Sequence, residues 1–341
     1  MSQSISDSKT ILITGAAGFI GFHLSKIFLS QGFKVIGIDN YDSYYDVKLK
    51  EDRIDILLQE SSAFNFYNID ITNKTKLKDF LSDQKFNYIY HLAAQAGVRY
   101  SIENPDAYIN TNILGTYNLL ESIKDIKIDH FLFASTSSVY GSNESYPFHE
   151  EINCNSQLSL YASTKRACEA ILHSNSYARG LETTVFRFFT VYGPYGRPDM
   201  ALFKFTKNIL NGEKIDVYNH GKMIRDFTYV EDLVKAISLL YNNTPSETKE
   251  IKRGLSNSSN YRIVNIGNSN PVKLMDYISA IESSLGKKAD INFMKMQMGD
   301  VVKTHSDVTA LNELVSYTPN TDIKDGVANF VDWYLNYHEY S

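Results

Sequence analysis

Six short, almost continuous apolar runs recur in the first 190 residues, and segments with helical period lie between them. Such runs are typical of parallel β-strands, because helices cover both faces of a parallel sheet and no polar alternation is required. The pattern predicts an α/β fold with a doubly wound parallel sheet, which is a Rossmann-type domain. The predicted strands are Thr10–Thr14, Lys34–Asp39, Ala63–Asn68, Tyr88–Leu92, His130–Ser135 and Thr183–Phe189. The predicted helices of this part are Phe19–Gln31, Thr75–Ser82, Pro105–Ile126 and Leu160–Arg179.

After Phe189 the regular alternation of strand and helix patterns ends. Residues 193–198 are rich in glycine and proline, which predicts a loop. Helices with only short strands between them, such as Ile263–Ile266, follow this loop. The predicted helices of this part are Met200–Leu210, Val230–Tyr241, Leu274–Leu285 and Ile323–Tyr337. This second pattern predicts a smaller mixed α/β domain, with a ligand cleft between it and the sheet.

We therefore expect two domains. The first covers residues 1–189, and the chain is expected to return to it around residues 229–267. The second, which would bind the substrate, combines residues 190–228 with residues 268–341. Residues 242–260 are rich in Asn, Ser, Thr and Lys, which favours an exposed insertion.

Charge and cysteine content exclude several classes of protein. The net charge is −5 without a block of like charges, which argues against binding to nucleic acid or to a membrane surface. No apolar run reaches the length of about 18 residues that a membrane span needs, and Met1–Lys9 is polar. Cys154 and Cys168 form no CxxC motif, and the histidines form neither HExxH nor HxH. We expect a cytoplasmic protein with no metal site.

A glycine motif follows the first predicted strand and opens the first predicted helix. Its sequence, GAAGFIG at residues 15–21, would let the backbone approach a pyrophosphate at the helix N-terminus. Asp39 ends the next strand, where a carboxylate binds ribose hydroxyls and repels a 2′-phosphate, so NAD is favoured over NADP. Asp70 and Ile71 could reach the adenine, although Asp70 could equally cap a helix. The residues expected at the cofactor are Gly15, Gly18, Phe19, Ile20, Gly21, Asp39, Asn40, Asp70, Ile71, Tyr161 and Lys165.

A second motif, YASTK at residues 161–165, begins a predicted helix and places Tyr161 and Lys165 on one face. A phenol titrates near pH ~10, too high for a base at neutral pH. A neighbouring ammonium group and a nicotinium ring would both favour the phenolate. About 25 residues earlier, hydroxyl groups follow a strand end in the segment Ala134–Gly141. The alternative is a packed tyrosine beside a solvated lysine.

Together these motifs resemble the extended short-chain dehydrogenase/reductase superfamily. The resemblance implies a catalytic triad in which Thr136 contacts the substrate oxygen, Tyr161 is the general base and acid, and Lys165 tunes Tyr161 and holds the nicotinamide ribose. The segments His91–Tyr100, Asn110–Thr116 and Arg225–Val230 look like those of its nucleotide-sugar epimerases, dehydratases and decarboxylases. The segment Thr190–Met200, combined with Arg225–Val230, is most similar to the UDP-glucuronate 4-epimerase group.

The residues before Val139 argue against elimination of water. Related dehydratases carry Asp-Glu there and UDP-glucuronate decarboxylases carry Glu, whereas this chain has Ser137 and Ser138, which cannot readily serve as acid and base. The resemblance implies oxidation and re-reduction at C4, with Thr190 and Arg197 at a sugar carboxylate. Arg197 could instead be an ordinary loop residue or bind the diphosphate.

The same resemblance assigns the rest of the substrate site. Arg225 is expected at the diphosphate, with Arg99 as a second candidate for a phosphate or sugar contact. Asp300 is expected at the uridine ribose, although it could be a simple turn residue. The sequence departs from the subgroup at Met298 and at Val302–Lys303, where a proline would be expected nearby.

The sequence thus predicts an NAD-dependent C4 epimerase that converts UDP-glucuronate to UDP-galacturonate. The alternatives are a 4-epimerase of neutral UDP-sugars (UDP-N-acetylglucosamine or UDP-glucose), a UDP-glucuronate decarboxylase, and a non-catalytic NAD-binding regulator. Related families pair helices equivalent to Pro105–Ile126 and Leu160–Arg179 between subunits, so the resemblance implies a homodimer.

Overall fold

The computed structural model describes residues 9–339, so that all of the polar segment Met1–Lys9 except Lys9 lies outside the described residues. The strands are β1 (Thr10–Thr14), β2 (Lys34–Asp39), β3 (Phe64–Asn68), β4 (Tyr88–His91), β5 (His130–Thr136), β6 (Thr183–Phe188), β7 (Thr190–Tyr192), β8 (Ile215–Val217), β9 (Ile224–Tyr229), β10 (Tyr261–Ile266), β11 (Pro271–Lys273) and β12 (Ile291–Phe293). The α-helices are α1 (Phe19–Ser30), α2 (Val47–Glu60), α3 (Lys74–Ser82), α4 (Tyr100–Glu103), α5 (Pro105–Tyr108), α6 (Thr116–Ser122), α7 (Leu160–Arg179), α8 (Ala201–Asn211), α9 (Val230–Ser238), α10 (Leu274–Leu285), α11 (Thr309–Val315) and α12 (Ile323–Tyr337).

Seven parallel strands form the main sheet in the order β10-β6-β5-β4-β1-β2-β3. The chain builds outward from β1 in one direction through β2 and β3, and in the other through β4, β5 and β6. A crevice forms where the strand order reverses, at the carboxyl ends of β1 and β4. The predicted doubly wound fold is confirmed.

Helices cover both faces of this sheet, which explains why its strands are apolar throughout. Side chains alternate across a strand, so Ile11 and Ile13 of β1 lie in one core with Phe22 of α1. Leu12 lies between them in sequence but in the opposite core, together with Leu119 of α6.

One predicted helix is interrupted. The segment predicted as a single helix, Pro105–Ile126, consists of α5, a π-helix over Ile109–Gly115, and α6. The π-helix places the Asn112 side chain so that it accepts a 2.8 Å hydrogen bond from the Gln95 amide and donates to the Gln95 carbonyl. Gly115 faces Ile71 so closely that a Cβ would lie 2.6 Å from it. These contacts lie within the π-helical segment.

Helix α2 was not predicted. Its inward positions include Lys50 and Arg53, both buried, so that the apolar stripe expected of a packed helix is broken by charge. Asp46 caps its N-terminus by accepting a 3.0 Å hydrogen bond from the Lys48 amide.

The second part of the chain forms a smaller layer around its own apolar core. Strands β7, β9 and β11 make one small sheet, β8 and β12 make another, and helices α8, α10 and α12 pack around the side chains of Phe203, Tyr277 and Phe330.

Two segments differ from the predicted division. Helix α11 packs Leu311 and Leu314 into the core of the main sheet, although it follows residue 268. The segment 242–260, predicted as an exposed insertion, packs in part against the protein: Thr244 is buried, and the fully buried Arg262 donates to the carbonyls of Thr248 and Ile251. The sequence overlooked this packing because the segment is polar, and its anchor, Arg262, lies outside it in β10.

Over residues 9–339, no helix is both long enough and apolar enough to cross a membrane. Within the same residues, no group of three or more His, Cys, Asp or Glu side chains is arranged to bind a metal ion.

Candidate functional site

A cavity of about 870 Å³ opens at the carboxyl edge of the main sheet and extends over the smaller layer. Every residue that the sequence placed at the site lines this cavity except Asp70. These residues are Gly15, Gly18, Phe19, Ile20, Gly21, Asp39, Asn40, Ile71, Arg99, Thr136, Ser137, Ser138, Tyr161, Lys165, Thr190, Arg197, Arg225 and Asp300.

The glycines of the loop at residues 15–21 stand where a side chain would collide with neighbouring backbone. A Cβ on Gly15, which has φ +75°, would lie 2.7 Å from the Ala93 nitrogen, and one on Gly21 would lie 2.1 Å from the Gly15 oxygen. Gly18 caps α1 without a side-chain hydrogen bond, so the helix N-terminus is open toward the cavity. Its backbone N–H groups and helix dipole fit a diphosphate.

Asp39 lies at the end of β2 beside this loop. Its carboxylate accepts hydrogen bonds from the amides of Ala17, at 3.1 Å, and Tyr41, at 2.9 Å. Burial raises the pKa of Asp39, which the two N–H donors oppose. The oxygens retain lone pairs for ribose hydroxyls, so the residues present fit an adenosine dinucleotide.

Asp70 is used to shape the neighbouring loop. One carboxylate oxygen accepts from the amide and the hydroxyl of Thr72, both at 2.7 Å, and the other accepts from Asn40 at 3.0 Å. Its neighbours Ile69 and Ile71 line the cavity instead. A cofactor contact of Asp70 stays a prediction.

The three residues of the predicted triad come from the end of β5 and the start of α7. Thr136 ends β5 and accepts a 3.1 Å hydrogen bond from the Ser138 amide, which starts the 3₁₀ turn over Ser137–Tyr140. Tyr161 lies in the first turn of α7, whose N-terminus is capped by the Ser159 hydroxyl. All three members, including Lys165, line the cavity.

Burial makes the Tyr161 phenol a weaker acid than a free phenol, and two neighbours partly offset this effect. Burial raises the pKa of Tyr161, while hydrogen bonding to Thr136 and the positive charge of Arg197 lower it. The charge of Arg197 thus favours the ionised form of the hydroxyl that would move the proton.

Lys165 is buried and donates a 2.8 Å hydrogen bond to the carbonyl of Ala134. Burial lowers its pKa to about 8, an effect that Cys168 and Glu169 partly oppose. Its expected action on Tyr161 and on the nicotinamide ribose stays a prediction.

A buried ion pair, Arg187 with Glu169, lies beneath the strand and helix that carry the triad. Arg187 of β6 binds both carboxylate oxygens of Glu169, at 2.8 and 3.1 Å, and Glu169 accepts a 2.6 Å hydrogen bond from Ser135. The ion pair therefore joins β6 to α7, and the Ser135 hydrogen bond joins β5 to α7 next to Thr136.

On the substrate side, Arg197 is already paired. Its Nε and Nη2 donate to the two carboxylate oxygens of Asp199 at 2.9 and 2.6 Å. Tyr44, from the loop after β2, donates to the same carboxylate at 3.2 Å. The sequence missed Asp199 and Tyr44, because an Asp two residues after an Arg has no signature of its own.

The other cationic residues lie further along the cavity. Arg99 is 3.8 Å from the Asp300 carboxylate and stacks over the Tyr218 ring at 4.7 Å. Arg225 donates to the carbonyls of Ile224 and Val302, and burial lowers its pKa. Their phosphate and ribose contacts stay predictions.

Arg53 connects the two halves of the site, which the sequence also missed. Its side chain is fully buried and donates to the carbonyl of Ala17, in the glycine loop, at 2.8 Å. It also donates to the carbonyl of Tyr195, in the Arg197 loop, at 2.7 Å. Tyr195 has φ +56°, so this bond secures a strained turn.

Comparison with known proteins places this site among nucleotide-sugar enzymes. Residues 11–267 match the family described as "NAD dependent epimerase/dehydratase family". Protein CapI of Staphylococcus aureus is 50% identical over 333 residues, covering 96% of this chain and 99% of that protein. A probable UDP-glucuronate 4-epimerase of Rhizobium meliloti is 44% identical over 328 residues, covering 95% and 96%. The structure of UDP-glucuronic acid 4-epimerase from Bacillus cereus, in complex with UDP-glucuronic acid and NAD, matches with a TM-score of 0.86 and 35% identity, covering 96% and 99%.

Proposed function

The chain belongs to the NAD-dependent epimerase/dehydratase family, and we propose that it interconverts UDP-glucuronate and UDP-galacturonate at C4. NAD is the cofactor of the family, as the sequence predicted. The R. meliloti and B. cereus proteins named for this reaction support the choice of substrate.

One observation carries the choice: Tyr161 and Arg197 line the same cavity, and the positive charge of Arg197 lowers the pKa of Tyr161. In a glucuronate ring the reacting C4 hydroxyl and the carboxylate stand on adjacent carbons, C4 and C5. A base for O4 and a cation for the carboxylate must therefore lie side by side. The cavity offers both groups, together with the Thr190 hydroxyl.

Bound NAD would supply reversible hydride transfer at C4. Tyr161 accepts the O4 proton as C4 is oxidised and returns it when C4 is reduced from the other face, while the Thr136 hydroxyl hydrogen-bonds O4. Arg225 and Arg99 hold the diphosphate, so the sugar can turn about that linkage between the two half-reactions. Ser137 and Ser138 offer no carboxyl group for elimination.

Neutral UDP-sugars are the second candidate. The Arg197–Asp199 pair carries no net charge, so a neutral hydroxymethyl group meets no uncompensated ion. Arg197 still has free donors for a carboxylate, which is why we rank UDP-glucuronate first.

The test is incubation of the purified protein with UDP-glucuronate, UDP-glucose and UDP-N-acetylglucosamine, with products identified by NMR. UDP-galacturonate should form from UDP-glucuronate, and the reverse reaction should reach the same ratio. A UDP-pentose product would indicate a decarboxylase, and turnover of neutral sugars alone would indicate the second candidate. Retained NAD without any turnover would indicate a regulator.

We further propose a homodimer in the cytoplasm. Ile109, Leu114, Tyr117 and Tyr177 expose large apolar areas on the helical segments that the resemblance pairs between subunits. Both cysteines are free and buried, which fits a reducing compartment.

A further inference from the structure

The Arg197–Asp199 pair restricts how the guanidinium can meet a substrate. Asp199 occupies the side of the guanidinium formed by Nε and Nη2, with both carboxylate oxygens engaged. Nη1 and the outer N–H of Nη2 remain as donors. Only this outer edge of Arg197 is available to a second carboxylate.

Two further contacts, both made by Tyr44, hold the pair in place. The Tyr44 hydroxyl donates to Asp199, and its ring packs on Tyr100 with centroids 4.5 Å apart. Burial and the nearby Asp199 raise the pKa of Tyr44 to about 12, so this hydroxyl stays a donor at neutral pH. Gly97 leaves the necessary space, because its Cβ would lie 3.1 Å from the Tyr44 hydroxyl and 3.6 Å from Nη2 of Arg197.

We propose that Asp199 is a positioning residue that fixes the plane of the Arg197 guanidinium and thereby protects the substrate from decarboxylation. The inference rests on the proposed function, since it requires a sugar carboxylate at Arg197. Asp199 does not touch the reacting atoms in this proposal. It acts through Arg197.

Protection is needed because the intermediate is a β-keto acid. Once C4 is a ketone, the C5–C6 bond can break, with its electron pair moving into an enolate over C5, C4 and O4 while carbon dioxide leaves. The enolate then takes a proton at C5 and becomes a UDP-4-keto-pentose. This cleavage requires the C5–C6 bond to stand perpendicular to the keto plane. A guanidinium fixed in one plane holds the carboxylate away from that arrangement.

The negative charge of Asp199 should also weaken the binding of a substrate carboxylate, which makes the proposal testable. Its charge repels the substrate carboxylate, so Asp199→Asn should strengthen binding of UDP-glucuronate while releasing the orientation of Arg197. We expect the KM for UDP-glucuronate to fall roughly tenfold. In the same assay a UDP-4-keto-pentose should appear, detected by mass spectrometry and NMR. General damage to the site would raise KM, so the two effects together are specific to the proposed role.

Two further variants complete the experiment. Tyr44→Phe keeps the ring contact with Tyr100 but removes one hydrogen bond, and should release a smaller amount of pentose. Asp290→Asn removes the same charge from an exposed ion pair with Lys214 and should behave as wild type. If Asp199→Asn does not fold, the Tyr44→Phe result decides.

The proposal fails if Asp199→Asn raises the KM for UDP-glucuronate or leaves it unchanged. It also fails if Asp199→Asn forms no pentose. Where that variant cannot be made, the absence of pentose in Tyr44→Phe refutes the proposal. Failure of the proposed function is a different result, because wild-type protein would then leave UDP-glucuronate unchanged.

Discussion

Nζ of Lys165 lies 2.8 Å from the carbonyl oxygen of Ala134, so the helix that carries Tyr161 is fastened to the strand that ends in Thr136. Thr136 lies two positions after Ala134, and one helical turn separates Lys165 from Tyr161. The bond therefore sets the distance between the hydroxyl and the phenol of the triad. It is also where the site becomes sensitive to pH.

Activity should fall as the pH rises through about 8. Burial lowers the pKa of Lys165 to about 8, so its positive charge is present below that pH and lost above it. Without the charge, the proposed stabilisation of the Tyr161 phenolate is lost. Lys165→Arg keeps the charge at every pH in this range and should be slower overall but lack this decline. The measurement is kcat between pH 6.5 and 9.5, and identical profiles would contradict the role of the Lys165 charge.

Tyr161→Phe should abolish turnover and leave the cofactor bound. The phenol oxygen moves the proton, whereas the glycine loop and Asp39 hold the dinucleotide elsewhere in the cavity. Loss of one acid–base group lowers the rate by about 10²–10⁴-fold. Turnover and retained NAD are measured on the same preparation. Tyr177→Phe, on the exposed end of the same helix, is the control, and wild-type activity in Tyr161→Phe would remove Tyr161 from its role.

The sequence predicted the parts of the site whose chemistry is carried by the residue type itself. Gly15 and Gly21 stand where no Cβ fits, and Tyr161 with Lys165 forms a motif with fixed spacing on one helix face. Asp199 could not be found in this way, because its function exists only through the contact with Arg197. The same holds for Arg53, whose two carbonyl partners come from loops 142 and 36 positions away.

In the fold, too, elements with a clear local sequence pattern were predicted, and elements that depend on contacts between distant segments were not. Helix α7 was predicted with its observed limits, since Ser159 and Gly180 mark its ends. Helix α2 was missed, because two of its buried positions are occupied by the charged residues Lys50 and Arg53. The partner that holds Arg53, the carbonyl of Ala17, lies in another segment. The π-helix at Ile109–Gly115 was predicted as regular helix, since its contacts, such as those of Asn112 with Gln95, involve residues distant in sequence.

Acid should destabilise the protein through three buried histidines. Burial lowers the pKa of His23 and His130 to about 4 and that of His91 to about 3. The unfolded chain, with histidines near pKa ~6.5, binds more protons below that pH, so stability falls as the pH falls from about 6.5 to 4. Each histidine contributes up to about 1.4 kcal/mol per pH unit.

Glu150 opposes this effect. Burial raises its pKa to about 7, so the folded state gains a proton that the unfolded state lacks between about pH 7 and 4.5. Three histidines outweigh one carboxyl, and the net loss should be visible in urea unfolding at pH 7.5 and pH 5. His130→Gln should reduce the difference between the two pH values. An unchanged difference would show that His130 is protonated when folded.

Charge placed on the exposed apolar helices should separate the proposed dimer. Leu114 and Tyr177 are 43% and 69% exposed in the single chain, which leaves them free to meet a second copy. The double variant Leu114→Glu/Tyr177→Glu should sediment as a monomer at micromolar concentration, while wild type sediments as a dimer. Leu239→Glu, on another exposed position, is the control. A monomeric wild type would refute the dimer directly.

Removal of the Arg197 side chain should both weaken substrate binding and change the product. A buried charged hydrogen bond contributes about 1.5–3 kcal/mol, so Arg197→Ala should lower the affinity for UDP-glucuronate by roughly 10- to 100-fold. The freed carboxylate should leave as carbon dioxide, so that a UDP-4-keto-pentose forms. The cofactor then stays reduced, and the absorbance of NADH increases. Asp199 would be stranded in this variant, and Arg197→Ala/Asp199→Asn removes that unpaired charge. If both variants bind UDP-glucuronate as wild type does and release no pentose, Arg197 is not the carboxylate ligand. The substrate would then be sought among neutral UDP-sugars, because the Tyr161 chemistry at C4 does not depend on a carboxylate.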